Sequence, residues 1–152
     1  MTYVVYFLIW TFLLYWIHRI VHITPYLKDI HWDHHRTVMR AKYSMGWKLN
    51  NLWLYNDTFK STVDLWITEV IPTIIFSWVT GHWWMFILYY CWAAFWQENL
   101  EHNKDVDIFL MTPGMWHMIH HRYPNFNFGL FFSIWDIIFK TNRPINYVGP
   151  LK

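Results

Sequence analysis

The sequence of 152 residues has little cysteine, glycine and charge. Its single cysteine, Cys91, excludes an intramolecular disulfide framework, a four-cysteine zinc site and a cysteine-ligated iron–sulfur cluster. The five glycines never stand two residues apart, so the chain has no G-x-G phosphate-binding loop. Any nicotinamide or flavin chemistry must therefore be supplied by another protein.

The chain is instead rich in apolar and aromatic residues. Hydrophobic residues make up 55% of it and aromatic residues 23%, whereas charged residues make up only 14%. This composition excludes a disordered or linker-like protein, because it is sufficient for a large core. The length fits one domain, and we expect residues 1–152 to form a single unit.

The apolar residues are concentrated in long uncharged segments. Residues 3–17 carry no charge and continue to Ile23, which is enough helix to cross a bilayer. A signal peptide would begin with basic residues and end at small residues, and this segment does neither. A second apolar block, residues 65–100, predicts a helical hairpin with arms 64–80 and 83–102. Residues 130–139 are too short to span a bilayer and predict an interfacial or re-entrant helix.

The basic residues give these segments an orientation. None of the twelve lies in residues 1–17 or in the turn at residues 80–82. The positive-inside rule then places the N-terminus and this turn outside, and the rest of the chain on the cytoplasmic face. We expect an all-α integral membrane protein with about three transmembrane helices plus interfacial helices. The alternative is a soluble helical protein with a very aromatic core.

Histidine is the most informative residue type in the chain. Eight of the ten histidines fall in three windows of five residues. Residues i, i+3 and i+4 share one helix face, so each window can direct two or three imidazoles at one point. Neutral imidazole is a common ligand of iron, zinc and copper, and eight histidines are too many for one metal. We therefore expect two metal ions, bound by His18, His22, His31, His34, His35, His117, His120 and His121.

Other polar residues extend this hypothesis. His102 ends the returning arm of the hairpin on the same face as the windows, and we expect it to be a ninth ligand. Glu98 lies four residues earlier and is either a ligand, an acceptor for a ring N–H, or an ordinary helix-end carboxylate. Asp33 and Asp136 are candidates to orient imidazoles. His82 lies in the outer turn, about 30 Å of helix away, and is expected not to be a ligand.

Taken together, these motifs resemble one known superfamily. Its signature is matched by H-R-I-V-H, H-W-D-H-H, the E-H-N around His102, and H-M-I-H-H followed by N-F-G and W-D. The chain resembles the fatty acid hydroxylase/sterol desaturase superfamily from about Tyr15 to Thr141. The first window and the N-F-G and W-D ending are more similar to the sterol desaturase branch.

The resemblance implies a membrane-bound, non-haem di-iron oxygenase with its histidines on the cytoplasmic face. It implies two iron ions, for which zinc can substitute in purified protein. It also implies a lipid substrate such as a fatty acid, sterol or related isoprenoid, together with O2. Electrons would come from a separate donor such as cytochrome b5 or a ferredoxin with its reductase. Members commonly have four or more spans, whereas this chain offers three.

Several alternatives stay open at this point. One is a membrane metal-binding or metal-transport protein without oxygenase activity. Transporters place polar ligands near the bilayer midplane, where this sequence has almost no ionisable residue. A bis-histidine haem protein would need histidines facing each other within the spans, and these are absent from the sequence. Hydroxylation and desaturation remain equal alternatives, as do monomer and oligomer. We expect no nucleic-acid partner.

Overall fold

A computed structural model describes residues 2–42 and 45–143. In this part of the chain the fold is helical, with no strand and two isolated β-bridges. The elements in chain order are α1 (Thr2–Ile23), α2 (Pro25–Arg40), a 3-10 helix (Leu49–Trp53), α3 (Phe59–Thr80), α4 (residues 84–100), α5 (Met115–Arg122) and α6 (Ile134–Ile138). The predicted all-α class is confirmed for these residues.

Two helices are long and apolar enough to cross a membrane. They are α1 and α3, with 22 residues each. Helix α3 ends at Gly81, whose φ of 72° is the left-handed conformation that closes many helices. Helix α4 then runs back as the predicted second arm of the hairpin. Large apolar side chains point away from the protein, as expected of a surface in contact with lipid: Trp78, Val79 and Ile87.

Helix α1 packs against this hairpin along its length. The buried Trp10 donates its indole N–H to Thr73 at 2.9 Å, which ties α1 to α3. Trp10 also lies against Tyr89 of α4, with ring centroids 6.2 Å apart. At one end of the bundle the Tyr6 ring lies 4.3 Å from that of His82. The start of α1 and the hairpin turn therefore lie at the same end, as the distribution of basic residues predicts.

Both helices of the hairpin contain one π-helical turn. These turns are Trp66–Val70 in α3 and Trp92–Trp96 in α4. The first contains the buried Glu69, and the second is followed directly by Gln97, whose amide lies 3.3 Å from both carboxylate oxygens of Glu69. A π-turn inserts a residue into the helix and often lies at a functional site. Here the two turns bring a buried polar pair together inside the hairpin.

The prediction of a helix over residues 130–139 is corrected by the structure. Only Ile134–Ile138 is helical. Residues 131–133 are not helical because their backbone bonds to another segment: the Phe131 carbonyl accepts the N–H of Thr112 at 3.1 Å, and the Ser133 N–H donates to the Leu110 carbonyl at 3.1 Å. The Asp136 carboxylate accepts the backbone N–H of Phe128 at 2.8 Å and that of Gly129 at 2.9 Å, which fixes the loop before this segment. The loop returns toward the C-terminal half of α1, where the first histidine window lies.

Candidate metal centre

Nine histidines converge at the end of the bundle opposite His82. They form two groups, and within each group one ring nitrogen per residue lies within 4.8 Å of the others. The five-histidine group consists of His18, His22, His31, His35 and His120. The four-histidine group consists of His34, His102, His117 and His121. All nine are among the residues that the sequence singles out as ligands. His82 contacts Tyr6 at the other end.

In the five-histidine group the Nε2 atoms face one another. His31 Nε2 lies 3.1 Å from His18 Nε2 and 3.0 Å from His35 Nε2. His22 Nε2 lies 3.1 Å from His120 Nε2. Two imidazoles bound to one ion at about 2.1 Å and at right angles would have nitrogens about 3 Å apart. These separations therefore fit a metal ion held between the rings.

The opposite nitrogens of the same group are held by acceptors. Four of the five rings donate Nδ1–H to an oxygen, which fixes the tautomer and leaves the lone pair on Nε2. The acceptors are the Phe128 carbonyl for His18 (2.8 Å), the Phe126 carbonyl for His120 (2.7 Å), the His121 carbonyl for His35 (3.4 Å) and the Asp64 carboxylate for His31 (2.8 Å).

This tautomer makes the group incomplete without a cation. If Nδ1 carries the hydrogen, the facing Nε2 atoms of His18 and His31 bring two lone pairs together at 3.1 Å. Protonation of a ring does not readily relieve this repulsion, because burial lowers the pKa of both His35 and His120 well below the usual value of 6.5. A metal ion relieves the repulsion and binds neutral imidazole. The donor set therefore fits iron or zinc.

The rings of the four-histidine group are held by fewer hydrogen bonds than those of the five-histidine group. His117 Nε2 lies 2.9 Å from His121 Nε2, and the ring of His34 lies 4.8 Å from that of His102. Burial lowers the pKa of His34, His117 and His121 well below 6.5, so these rings are also neutral. Within residues 2–42 and 45–143, three of its buried ring nitrogens have no hydrogen-bond partner: His102 Nε2, His117 Nδ1 and His121 Nδ1.

The two H-x-x-H-H windows each direct two rings into one group and the third ring into the other, so two of the two or three imidazoles expected at one point are found there. In α2, His31 and His35 join one group and His34 joins the other. In α5 the arrangement is reversed, because His120 alone joins the first group. Successive helical residues are about 100° apart, so i and i+4 share a face whereas i+3 and i+4 diverge. Each of these windows therefore lies between the two histidine groups.

The predicted supporting carboxylates have different environments. Glu98 lies 3.2 Å from His102 Nδ1, so it holds the back of a ring. Asp136 accepts the backbone N–H of Phe128, and the Phe128 carbonyl accepts from His18. Burial raises the pKa of the Asp136 carboxyl. Asp33 accepts from the Thr58 hydroxyl at 2.6 Å and, among the described contacts, from no histidine.

Sequence reasoning missed two further carboxylates at the site. Asp64 supports His31, and Glu101 lies 3.6 Å from His117 Nε2. Asp64 stands directly before the apolar block of residues 65–100, and this position was a usable signal. Glu101 immediately precedes His102 in the E-H-N motif, but its direction depends on the end of α4. A small cavity of about 20 Å³, enough for one water molecule, adjoins both histidine groups and both carboxylates.

Comparison with known proteins assigns the chain to a family. The profile described as "Fatty acid hydroxylase" matches residues 3–141. The chain belongs to the fatty acid hydroxylase family. This confirms the resemblance carried by the histidine motifs.

A curated relative is similar over most of this chain. The Delta(7)-sterol 5(6)-desaturase erg3B of Aspergillus fumigatus is 27% identical over 136 residues. The match covers 89% of this chain and 37% of that relative, so the chain spans little more than a third of the relative's length. No solved structure gives a significant match.

Proposed function

We propose that this protein is a membrane-bound di-iron oxidoreductase that hydroxylates or desaturates a lipid. The observation that carries the proposal is the pair of adjacent groups of five and four buried histidines. The count matches two ions and exceeds what a single structural zinc requires. Family membership and the similarity to a sterol desaturase support a lipid substrate.

The proposed role of each group of side chains follows from its contacts. Iron bound through nitrogen would keep positions free for O2, which is the oxidant of the reaction. The nine histidines are its proposed ligands. Backbone carbonyls, Asp64 and Glu98 keep those rings in one orientation and one tautomer. The cavity that adjoins both groups has room for one water-sized molecule.

The position of the site at the end of apolar helices suits a lipid. A substrate can leave its tail in hydrocarbon while one carbon reaches the histidine end of the bundle. We propose three spans, formed by α1, α3 and α4, with the nine histidines on the cytoplasmic face. Because the chain lacks a G-x-G loop, electrons would come from a separate protein such as cytochrome b5 or a ferredoxin with its reductase.

Topology reporters test the proposed orientation. A reporter inserted at Lys48, which lies beside the 3-10 helix, should report the cytoplasm. A reporter at Gly81 should report the opposite side. The same compartment at both positions would contradict the orientation. Lys152, another basic position used to predict it, lies outside the described residues.

Lipid analysis tests the activity. A host with and without the gene is grown under 18O2, and its lipids are compared by mass spectrometry. We expect one lipid to be oxidised only when the gene is present, and not with His120→Ala, whereas His82→Ala should behave as wild type. Retained 18O in the product would indicate hydroxylation, and a new double bond without 18O would indicate desaturation. A metal-loaded protein that leaves every lipid unchanged would favour the alternative of a metal-binding or transport protein.

A further inference from the structure

Glu101 is a buried carboxylate whose environment the nine histidines do not explain. Its side chain is only 2% exposed, and its Oε2 atom has no hydrogen-bond partner among the described residues. The backbone of Glu101 is fixed, because its N–H donates to the Gln97 carbonyl at 2.7 Å and its carbonyl accepts from Gly114 at 3.1 Å. An unpartnered carboxylate in such a place is costly unless a cation lies near it.

Glu101 approaches its histidine from a different side than the other carboxylates. Asp64 and Glu98 contact Nδ1 of His31 and His102, on the side of the ring turned away from its group. Glu98 does this at 3.2 Å. Glu101 instead faces Nε2 of His117, with Oε1 3.6 Å away, and this nitrogen also faces His121 Nε2 at 2.9 Å. Its carboxylate therefore points toward the space that the ligand nitrogens surround.

A hydrogen bond does not account for this approach. A separation of 3.6 Å is too long for an N–H···O bond. Two ligand atoms bound to one ion at about 2.1 Å each can be separated by this distance without touching each other. The geometry is thus that of neighbouring ligands, and it differs from that of a ring held by an acceptor.

Charge and ligand number favour the same interpretation. Neutral imidazoles supply no negative charge, so a divalent ion in the four-histidine group would be buried with little compensation. A carboxylate pointing into the group supplies that charge and raises the number of protein ligands to five, equal to the other group. The cation in turn compensates the buried carboxylate.

We propose that Glu101 is the fifth protein ligand of the four-histidine group. The inference rests on the proposed two-metal centre and deepens it, because it makes the two metal positions chemically different. One would be bound by nitrogen alone, and the other by nitrogen and one carboxylate oxygen.

The experiment compares Glu101→Gln with the matched control Glu98→Gln in the purified full chain. Each protein is loaded with zinc, dialysed against graded chelator concentrations and analysed for metal per chain. Thermal unfolding of the metal-free proteins is measured in parallel. We expect Glu101→Gln to release its second zinc at a chelator concentration more than about 100-fold below that of wild type, which exceeds the effect typical of an outer-shell partner. Glu98→Gln, which contacts only the back of the His102 ring, should lower that concentration by about 100-fold at most.

The metal-free proteins separate ligation from a structural role. Glu101→Gln removes an unpartnered buried carboxylate, so its metal-free midpoint should equal or exceed that of wild type. Glu98→Gln weakens a hydrogen bond to His102 and should lower it. Two zinc ions with wild-type chelator resistance in Glu101→Gln would overturn the proposal. So would a metal-free midpoint lowered as much as in Glu98→Gln.

The outcomes also separate this proposal from the one on which it rests. If wild type binds two zinc ions and Glu101→Gln is unchanged, only the role of Glu101 fails. If wild type itself binds none, the two-metal centre fails. Should Glu101→Gln not fold, Glu101→Met has a similar length without a ligand oxygen and takes its place under the same criteria.

Discussion

The two histidine groups differ in how much of their structure the protein provides by itself. In the five-histidine group, four Nδ1 atoms donate to fixed oxygens from a loop, a helix end and Asp64. In the four-histidine group, three buried ring nitrogens have no partner within the described residues. A buried polar atom without a partner costs about 1–3 kcal/mol. The first group is preorganised, whereas the second depends on its ion for order.

The largest effects are expected from loss of a histidine, and they should differ between the groups. His120→Ala removes a nitrogen from the preorganised group, and His34→Ala removes one from the other. Both should abolish lipid oxidation, with a loss greater than the 10–100-fold typical of outer-shell partners. Metal analysis should show that His34→Ala retains one ion.

The matched control for both variants is His82→Ala. His82 contacts Tyr6 at the opposite end of the bundle. This variant should keep its metal content and most of its activity. If it lost its metal while His34→Ala and His120→Ala kept theirs, the assignment of the two groups would be wrong.

Metal removal should proceed in two phases. Because its rings are less well held, the four-histidine group should lose its ion first when chelator is added to the wild-type protein. The remaining ion should require a chelator concentration at least about tenfold higher. The metal-to-chain ratio along the titration measures this order, with His34→Ala showing only the second phase. A single phase for wild type would mean that the groups do not differ in affinity.

The metal-free protein should lose stability as the pH falls. Burial lowers the pKa of His34, His35, His117, His120 and His121 below 6.5 in the folded protein. The unfolded chain therefore binds more protons below pH 6.5, and the stability present above that pH is lost as the pH falls further. Each such group costs about 1.4 kcal/mol per pH unit.

Denaturant unfolding of the metal-free protein at pH 7.5, 6.5 and 5.5 measures this dependence. Metal loading should keep the protein folded to lower pH, until protonation competes with binding. An unfolding free energy that is equal at all three values would contradict the burial of neutral histidines.

The smallest effects are expected at Asp33 and Asp136, which contact no histidine ring among the described residues. Asp136→Asn should destabilise the protein by about 1–3 kcal/mol, because Asp136 holds the Phe128 and Gly129 amides. It should also weaken binding in the five-histidine group, since Phe128 supports His18. Asp33→Asn is the control and should leave both ions bound. Equal metal loss in both variants would argue against an effect of Asp136 on His18 through the Phe128 loop.

The ligand histidines and the helices that carry them could be predicted from the sequence. A charge-free run and i, i+3, i+4 spacing are local properties, so α1, the hairpin and the three windows follow from them. Helical geometry also separates the rings of one window into two directions. Which group each ring joins depends on the helices that face those two sides of the helix. His34 and His120 join the groups they do because of how α2 and α5 pack against each other.

The supporting contacts could not be predicted in the same way. The Phe128 and Phe126 carbonyls act on His18 and His120 from a loop that precedes the helix predicted at residues 130–139. Their positions depend on Asp136, which accepts from that loop through tertiary contacts. Glu101 is similar, because its direction depends on how α4 ends. Such long-range contacts leave no periodic pattern in the sequence.

The metal content of the wild-type protein tests the central claim most directly. The full chain is purified at neutral pH without chelator, and its metal-to-chain ratio is measured by elemental analysis, with X-ray absorption to identify the ligand atoms. We expect two ions per chain, iron or the zinc that replaces it, bound mainly through nitrogen. A ratio near zero in folded protein would contradict the claim.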